Sequence, residues 1–112
     1  MLRAFRAQAA RVLTSLDLDT GLVHADLVRE NVMIEGPALH LIDFDDGGYG
    51  YRLFDVATAL LKNRAEPNYP ALKQALIEGY LSVRSLDMTH LDLFLALRAV
   101  TYVGWIVHRR CP

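Results

Sequence analysis

Between His24 and Asp46 the chain reads His24-Ala25-Asp26-Leu27-Val28-Arg29-Glu30-Asn31, and later Leu41-Ile42-Asp43-Phe44-Asp45-Asp46. Asp26 and Asn31 have four residues between them, and Asp43 follows an apolar hairpin later. A carboxylate that accepts a hydrogen bond from a hydroxyl can position it as a nucleophile and take its proton late. A neutral amide oxygen and a second carboxylate are donors that a hard divalent cation prefers. Together these groups suit magnesium-dependent phosphoryl transfer, with Asp26 for the attacking hydroxyl and Asn31 and Asp43 for the metal. His24 suits a bracing role, holding the loop through a backbone hydrogen bond. Polar loops supply an Asp and an Asn at this spacing by chance, and Asp43 alone would serve as a helix cap or turn former. The signal is the combination of His-x-Asp-Leu-x-x-x-Asn, a short hairpin and Ile-Asp-Phe.

Those residues need elements to hold them. Leu2, Phe5, Ala9, Val12, Leu13 and Leu16 recur at helical spacing and predict a leading helix with one buried stripe, ended by Asp17 to Gly21. Leu22-Val23 is a short extended lead into the motif. Val32-Met33-Ile34 and Leu39-His40-Leu41-Ile42 read as a hairpin turned by Glu35-Gly36-Pro37-Ala38. Asp45 to Tyr51, with its three glycines, is expected to be loop. Leu53, Val56, Ala57, Leu60 and Leu61 mark the next helix. After a connector at Glu66 to Pro70, Leu72, Ala75, Leu76 and Tyr80 mark another. Thr89 and Asp92 form a capping-box pattern for the last helix, their side chains expected to satisfy its free amides. That helix is apolar on most sides through Phe94, Leu95, Leu97, Val100, Val103, Trp105 and Ile106, and should be buried by several neighbours.

His24-Ala25-Asp26-Leu27 to Asn31, with Ile42-Asp43-Phe44, resembles the catalytic loop and metal motif of the aminoglycoside phosphotransferase and choline kinase superfamily, small-molecule relatives of protein kinases. Leu53-Phe54-Asp55-Val56-Ala57 resembles the following helix, whose Asp braces the catalytic loop, and Ala96 to Trp105 is similar to a C-lobe helix. The resemblance runs from Gly21 onward and is most specific in its first block. It implies an α+β, mostly helical fold: the C-terminal lobe of a protein-kinase-like fold, with a small β-hairpin carrying the site. It also implies Asp26 as catalytic residue, Asn31 and Asp43 as Mg2+ ligands, His24 and Asp55 as supports of the loop, and ATP or GTP as donor. The implied acceptor is a small molecule such as an aminoglycoside, a choline-like amine or homoserine. Ala25 stands where protein kinases usually have Arg, and Asp45 where they have Gly, both in keeping with the small-molecule branch. Asp45 and Asp46 could face a cationic acceptor, or be solvated acids beside Gly47-Gly48.

The expected organisation is one domain over 1–112: a leading helix at 1–20, the catalytic loop, hairpin and metal motif at 21–52, and a helical part at 53–112. Such an enzyme also needs a glycine-rich loop and a strand Lys on an N-terminal lobe. Here the lysines, Lys62 and Lys73, follow the motif. The expectation is a C-lobe whose nucleotide lobe is absent, with exposed apolar surface where that lobe would dock and self-association as a consequence. The alternatives are a one-lobe remnant or binding module without turnover, and a haloacid-dehalogenase-type phosphatase using Asp43 and Asp45. A zinc hydrolase using His24 and Asp26 lacks a third ligand at a recognisable spacing.

Composition narrows the rest. At 112 residues the chain has room for one core. Its net charge of −1 gives no nucleic-acid or anionic-membrane surface. The single Cys111 excludes a disulfide framework within the chain and suits a reducing, cytoplasmic setting. The N-terminus lacks the apolar run of a signal peptide; an Arg-rich presequence could look like this, but an amphipathic helix fits better. The apolar stretch from Leu91 to Val107 contains Asp92 and Arg98 and is short for a span, so it reads as a buried helix rather than a membrane segment.

Overall fold

A computed structural model describes residues 2–110; in its terminal helices the side chains of Leu2, Phe5, Arg6, Ala9 and 103–110 lie outside the described set. The buried positions expected at Leu2, Phe5, Ala9, Val103, Trp105 and Ile106 fall there, as does Cys111. In chain order the elements are α1 (Leu2–Ser15), β1 (Thr20–Val23), a 3-10 turn (Arg29–Asn31), β2 (Val32–Glu35), β3 (Ala38–Leu41), β4 (Gly48–Tyr51), α2 (Arg52–Leu61), α3 (Tyr69–Val83) and α4 (Leu91–Arg110). The fold is α+β and about half helical, with two small antiparallel sheets, β1–β4 and β2–β3.

The core is where α2 meets α4. Leu53, Val56, Ala57 and Leu60 form one face of α2, and Leu91, Phe94 and Leu95 one face of α4, with Leu86 between them. Both sets follow the helical repeat that puts residues three and four apart on one side. Each Leu, Val or Phe among them, fully buried, contributes roughly 1.5–3 kcal/mol relative to exposure. Leu13 of α1 and Leu18 pack on the edge of this core. No helix among the described residues is long and apolar enough to cross a membrane.

Three local expectations need correction. Gly48 to Tyr51 is a strand, not loop: it pairs with β1 in the register Gly21↔Gly50 and Val23↔Gly48. Its glycines have little intrinsic strand preference, so the partner strand supplies the order. A Cβ on Gly50 would stand 3.3 Å from the Val23 side chain, a close approach that glycine allows. In α3, Leu72 and Ala75 are exposed, and Leu76, Ile77 and Tyr80 face the core, with Tyr69 joining from the first turn. Pro70 is the second residue of this helix, in the first turn, where its missing N–H costs no intrahelical bond. At the entry to α4, Thr89 does not cap with its hydroxyl. It donates both hydroxyl and backbone N–H to Asp87, at 2.5 and 2.9 Å.

Candidate active site

The segment after β1 leaves the sheet with Ala25 in the left-handed region at φ +72°. A residue with a Cβ is strained there, by about 1–3 kcal/mol, and stays only where its surroundings hold it. The holding group is Asp55, in the first turn of α2. Its Oδ2 accepts the His24 N–H at 2.8 Å and its Oδ1 the Ala25 N–H at 2.8 Å. A carboxylate at a helix N-terminus also answers the positive end of the helix dipole.

His24 is buried, and both ring nitrogens are used. Nε2–H donates to the Ile42 carbonyl at 2.8 Å, and Nδ1 accepts the Asp26 N–H at 3.2 Å. The two partners fix the tautomer between them. The ring also packs against Phe44, centroids 4.6 Å apart. With both nitrogens engaged, His24 has no lone pair left for a zinc ion.

Asn31, buried at the end of the 3-10 turn, closes the loop on itself. Its Nδ2 donates to the Asp26 backbone carbonyl at 2.8 Å and to the Asp26 carboxylate Oδ2 at 3.1 Å. Both partners are acceptors, so the amide nitrogen must face them and Oδ1 points the other way. The Asn31 carbonyl accepts the Ile42 N–H at 2.9 Å. Ile42 is thus tied through its N–H to Asn31 and through its carbonyl to His24, and Asp43 is the next residue. Asp43 itself sits in the left-handed region at φ +61°, which Asp tolerates better than most residues.

His24, Asp26, Asn31 and Asp55 are therefore joined by direct hydrogen bonds, with Asp43 anchored one residue away. Asp45 and Asp46 are exposed on a turn closed by the Gly47 N–H to the Phe44 carbonyl at 2.9 Å. Asp46 helps line an open cavity of about 260 Å³ with Ala25, Tyr49 and Phe54. Asp45 lies outside that lining. The phosphatase alternative asked for a parallel sheet behind Asp43; both sheets among the described residues are antiparallel pairs.

One residue escaped the sequence reading as part of this site. Arg98, on α4, brings its Nη2 within 3.7 Å of Asp26 Oδ1. The signal was present: an Arg in a helix otherwise expected to be buried must find an anion.

Known proteins share this arrangement of chain. The phosphotransferase enzyme family matches residues 1–94. Homoserine kinase from Pseudomonas aeruginosa (strain LESB58) is 33% identical over 112 residues, an alignment covering 89% of this chain and 35% of that protein. Homoserine kinase from Neisseria meningitidis serogroup B is 35% identical over 74 residues, covering 62% of this chain and 24% of the relative. Among solved structures, amicoumacin kinase hAmiN in complex with AMP-PNP, Ca2+ and Ami matches with a TM-score of 0.81 at 24% identity, over 93% of this chain and 36% of that one. The chain spans about a third of the length of the Pseudomonas relative. A kinase-like fold, the loop locked between Asp26 and Asn31, and a family match over most of the length place this chain in the phosphotransferase enzyme family.

Proposed function

We propose that this chain carries the catalytic residues of a small-molecule kinase that moves the γ-phosphoryl group of ATP, or GTP, to an acceptor hydroxyl. The observation that carries the reading is the locked pair: Asn31 Nδ2 holds the carbonyl and carboxylate of Asp26 at 2.8 and 3.1 Å. This leaves a half-buried carboxylate beside an amide whose oxygen is turned away from it. Asp26 accepts the hydrogen bond of the attacking hydroxyl, aims it, and takes its proton as the new bond forms. His24 and Asp55 keep the loop in its strained shape, so the backbone that carries the carboxylate stays in place.

Asn31 Oδ1 and the Asp43 carboxylate are one neutral and one charged oxygen donor, a set that fits Mg2+. Bound by them, the metal would supply charge neutralisation at the phosphate oxygens. Asp46, and Asp45 beyond it, would meet an amine on the acceptor. The likeness to homoserine kinases favours a small amino alcohol such as homoserine; an aminoglycoside or a choline-like amine offers the same pairing of hydroxyl and cation. Lys62 and Lys73 lie on the helical side of the molecule, after α2 begins. The contacts to the nucleotide's other phosphates therefore fall to a separate nucleotide lobe. It would rest on the exposed apolar face of Leu22, Ile34, Leu39 and Tyr49. A cytoplasmic setting supplies the nucleotide.

The test is ATP-dependent phosphorylation of homoserine by the full protein, wild type against Asp26→Ala. Turnover is expected to fall about 10²–10⁴-fold with nucleotide affinity unchanged. Equal loss of turnover and nucleotide binding would assign Asp26 a structural role instead.

A further inference from the structure

Leu91, Phe94 and Leu95 form the buried face of α4, and the next position on that face is Arg98. A core position is thus occupied by a cation. Its side chain is only 13% exposed, and its Nε is buried without a hydrogen-bond partner. The guanidinium lies between two rings, 4.1 Å from the Tyr102 centroid and 4.9 Å from that of Phe54. Nη2 donates to the Tyr102 hydroxyl at 3.0 Å, and Nη1 reaches Thr101 Oγ1 at 3.4 Å. Lys62 places a second cation 5.2 Å from the same Tyr102 ring. The carboxylate that this buried charge faces is Asp26, at 3.7 Å.

The two oxygens of Asp26 are consequently divided. Oδ2 is held by Asn31, from within the loop, and Oδ1 looks toward Arg98, from a helix of the core. One hydrogen bond at 3.1 Å restrains rotation about the Cβ–Cγ bond, and an ion pair at the other oxygen adds a second, independent restraint. The planar guanidinium is itself pinned by stacking, which a flexible ammonium would not be. Placing a cation behind Asp26 also offsets the repulsion between this carboxylate and an incoming polyphosphate, an effect that weak solvent screening enlarges at a mostly buried pair.

We infer that Arg98 is a positioning residue for Asp26, fixing the plane of the carboxylate and lowering its repulsion toward the phosphoryl group. The inference rests on the kinase reading above. Arg98 acts through Asp26 and touches no reacting atom. A purely architectural Arg98 would brace α4 against Phe54 without changing the state of the Asp26–Asn31 pair.

Two readouts in the full protein separate these possibilities. In labelled Arg98→Met, the side-chain amide signals of Asn31 are expected to shift, because their acceptor on Asp26 moves. Turnover is expected to fall about a hundredfold, the scale of a small misplacement of a reacting group, with the nucleotide KM unchanged. In Arg98→Ala, added guanidinium ion should recover turnover and added urea, neutral and of similar shape, should not. If Arg98→Met does not fold, Arg98→Lys carries the test, with the same Asn31 shift expected and a smaller loss. Unmoved Asn31 amide signals in a folded variant, or full turnover without the guanidinium, would overturn the inference. Should the wild-type protein transfer no phosphate, the kinase reading falls, and the Asn31 signals alone decide the role of Arg98.

Discussion

Asp55 decides whether the site keeps its shape. Its two oxygens answer two consecutive amides, His24 and Ala25, on a backbone that would otherwise relax away from positive φ. Asp55→Ala orphans both donors, each at a cost of about 1–3 kcal/mol, so the melting temperature should drop sharply and phosphotransfer with it. An unchanged melting temperature would show that the loop has another support. The candidates Asp26, Asn31 and Asp43 could be picked out at this scale because the chemistry proposed for them depends on residue type and short spacing, and the structure joins Asp26 to Asn31 by direct hydrogen bonds. Arg98 was not read as part of the site. Its partner is 72 positions away, from 26 to 98, and only the packing of α4 on α2 brings the two together.

Among the elements, the hairpin and the capping turn of α4 each turn on one residue. Gly36 holds the β2–β3 turn at φ +56°, with nothing within 4 Å of where a Cβ would stand. Gly36→Ala should therefore cost only the backbone strain, about 1–2 kcal/mol, without a clash. A larger loss in denaturant unfolding would mean the turn packs against something. Before α4, the Thr89 hydroxyl, and then its N–H, hold the Asp87 carboxyl below its usual range. A folded-state pKa lowered in this way stabilises above the unfolded Asp range, and that contribution is lost as pH falls through the folded value. The melting temperatures of wild type and Asp87→Ala should accordingly differ at neutral pH and converge in acid. A gap that persists in acid would contradict this role. Helix α2 was legible from apolar spacing because it buries one face; α4, expected to be buried by several neighbours, packs on α2 through Leu91, Phe94 and Leu95 and leaves Leu97 and Val100 half-buried. The strand β4 was not legible, since Gly48 and Gly50 take their order from β1 rather than from their own preference. Helix α3 was legible as a helix, but not which side packs: no residue of it is fully buried, and Leu72 and Ala75, two of the positions that marked it, are exposed.

At the scale of the molecule, most of the large apolar side chains left in solvent lie on the strands and loops that carry the site, with Leu72, Leu81 and Val83 of α3 the others. Leu22 is 72% exposed, Ile34 76%, Leu39 66% and Tyr49 86%, on β1, β2, β3 and β4 in turn. Large apolar side chains exposed on both small sheets suit a surface that another body of protein covers. Sedimentation of the purified chain should show association that grows with concentration and is relieved by Ile34→Lys with Leu39→Lys. A monodisperse monomer at high concentration would contradict the docking face. The central claim, however, is that Asn31 and Asp43 form a metal–phosphate site next to Asp26. The direct measurement is a titration of Mg-ATP into the isotopically labelled protein, followed by its amide signals. Saturable shifts at Asn31 and Asp43 that require magnesium and disappear in Asp43→Ala are the expected result. A well-dispersed spectrum in which Mg-ATP moves neither residue would contradict the account.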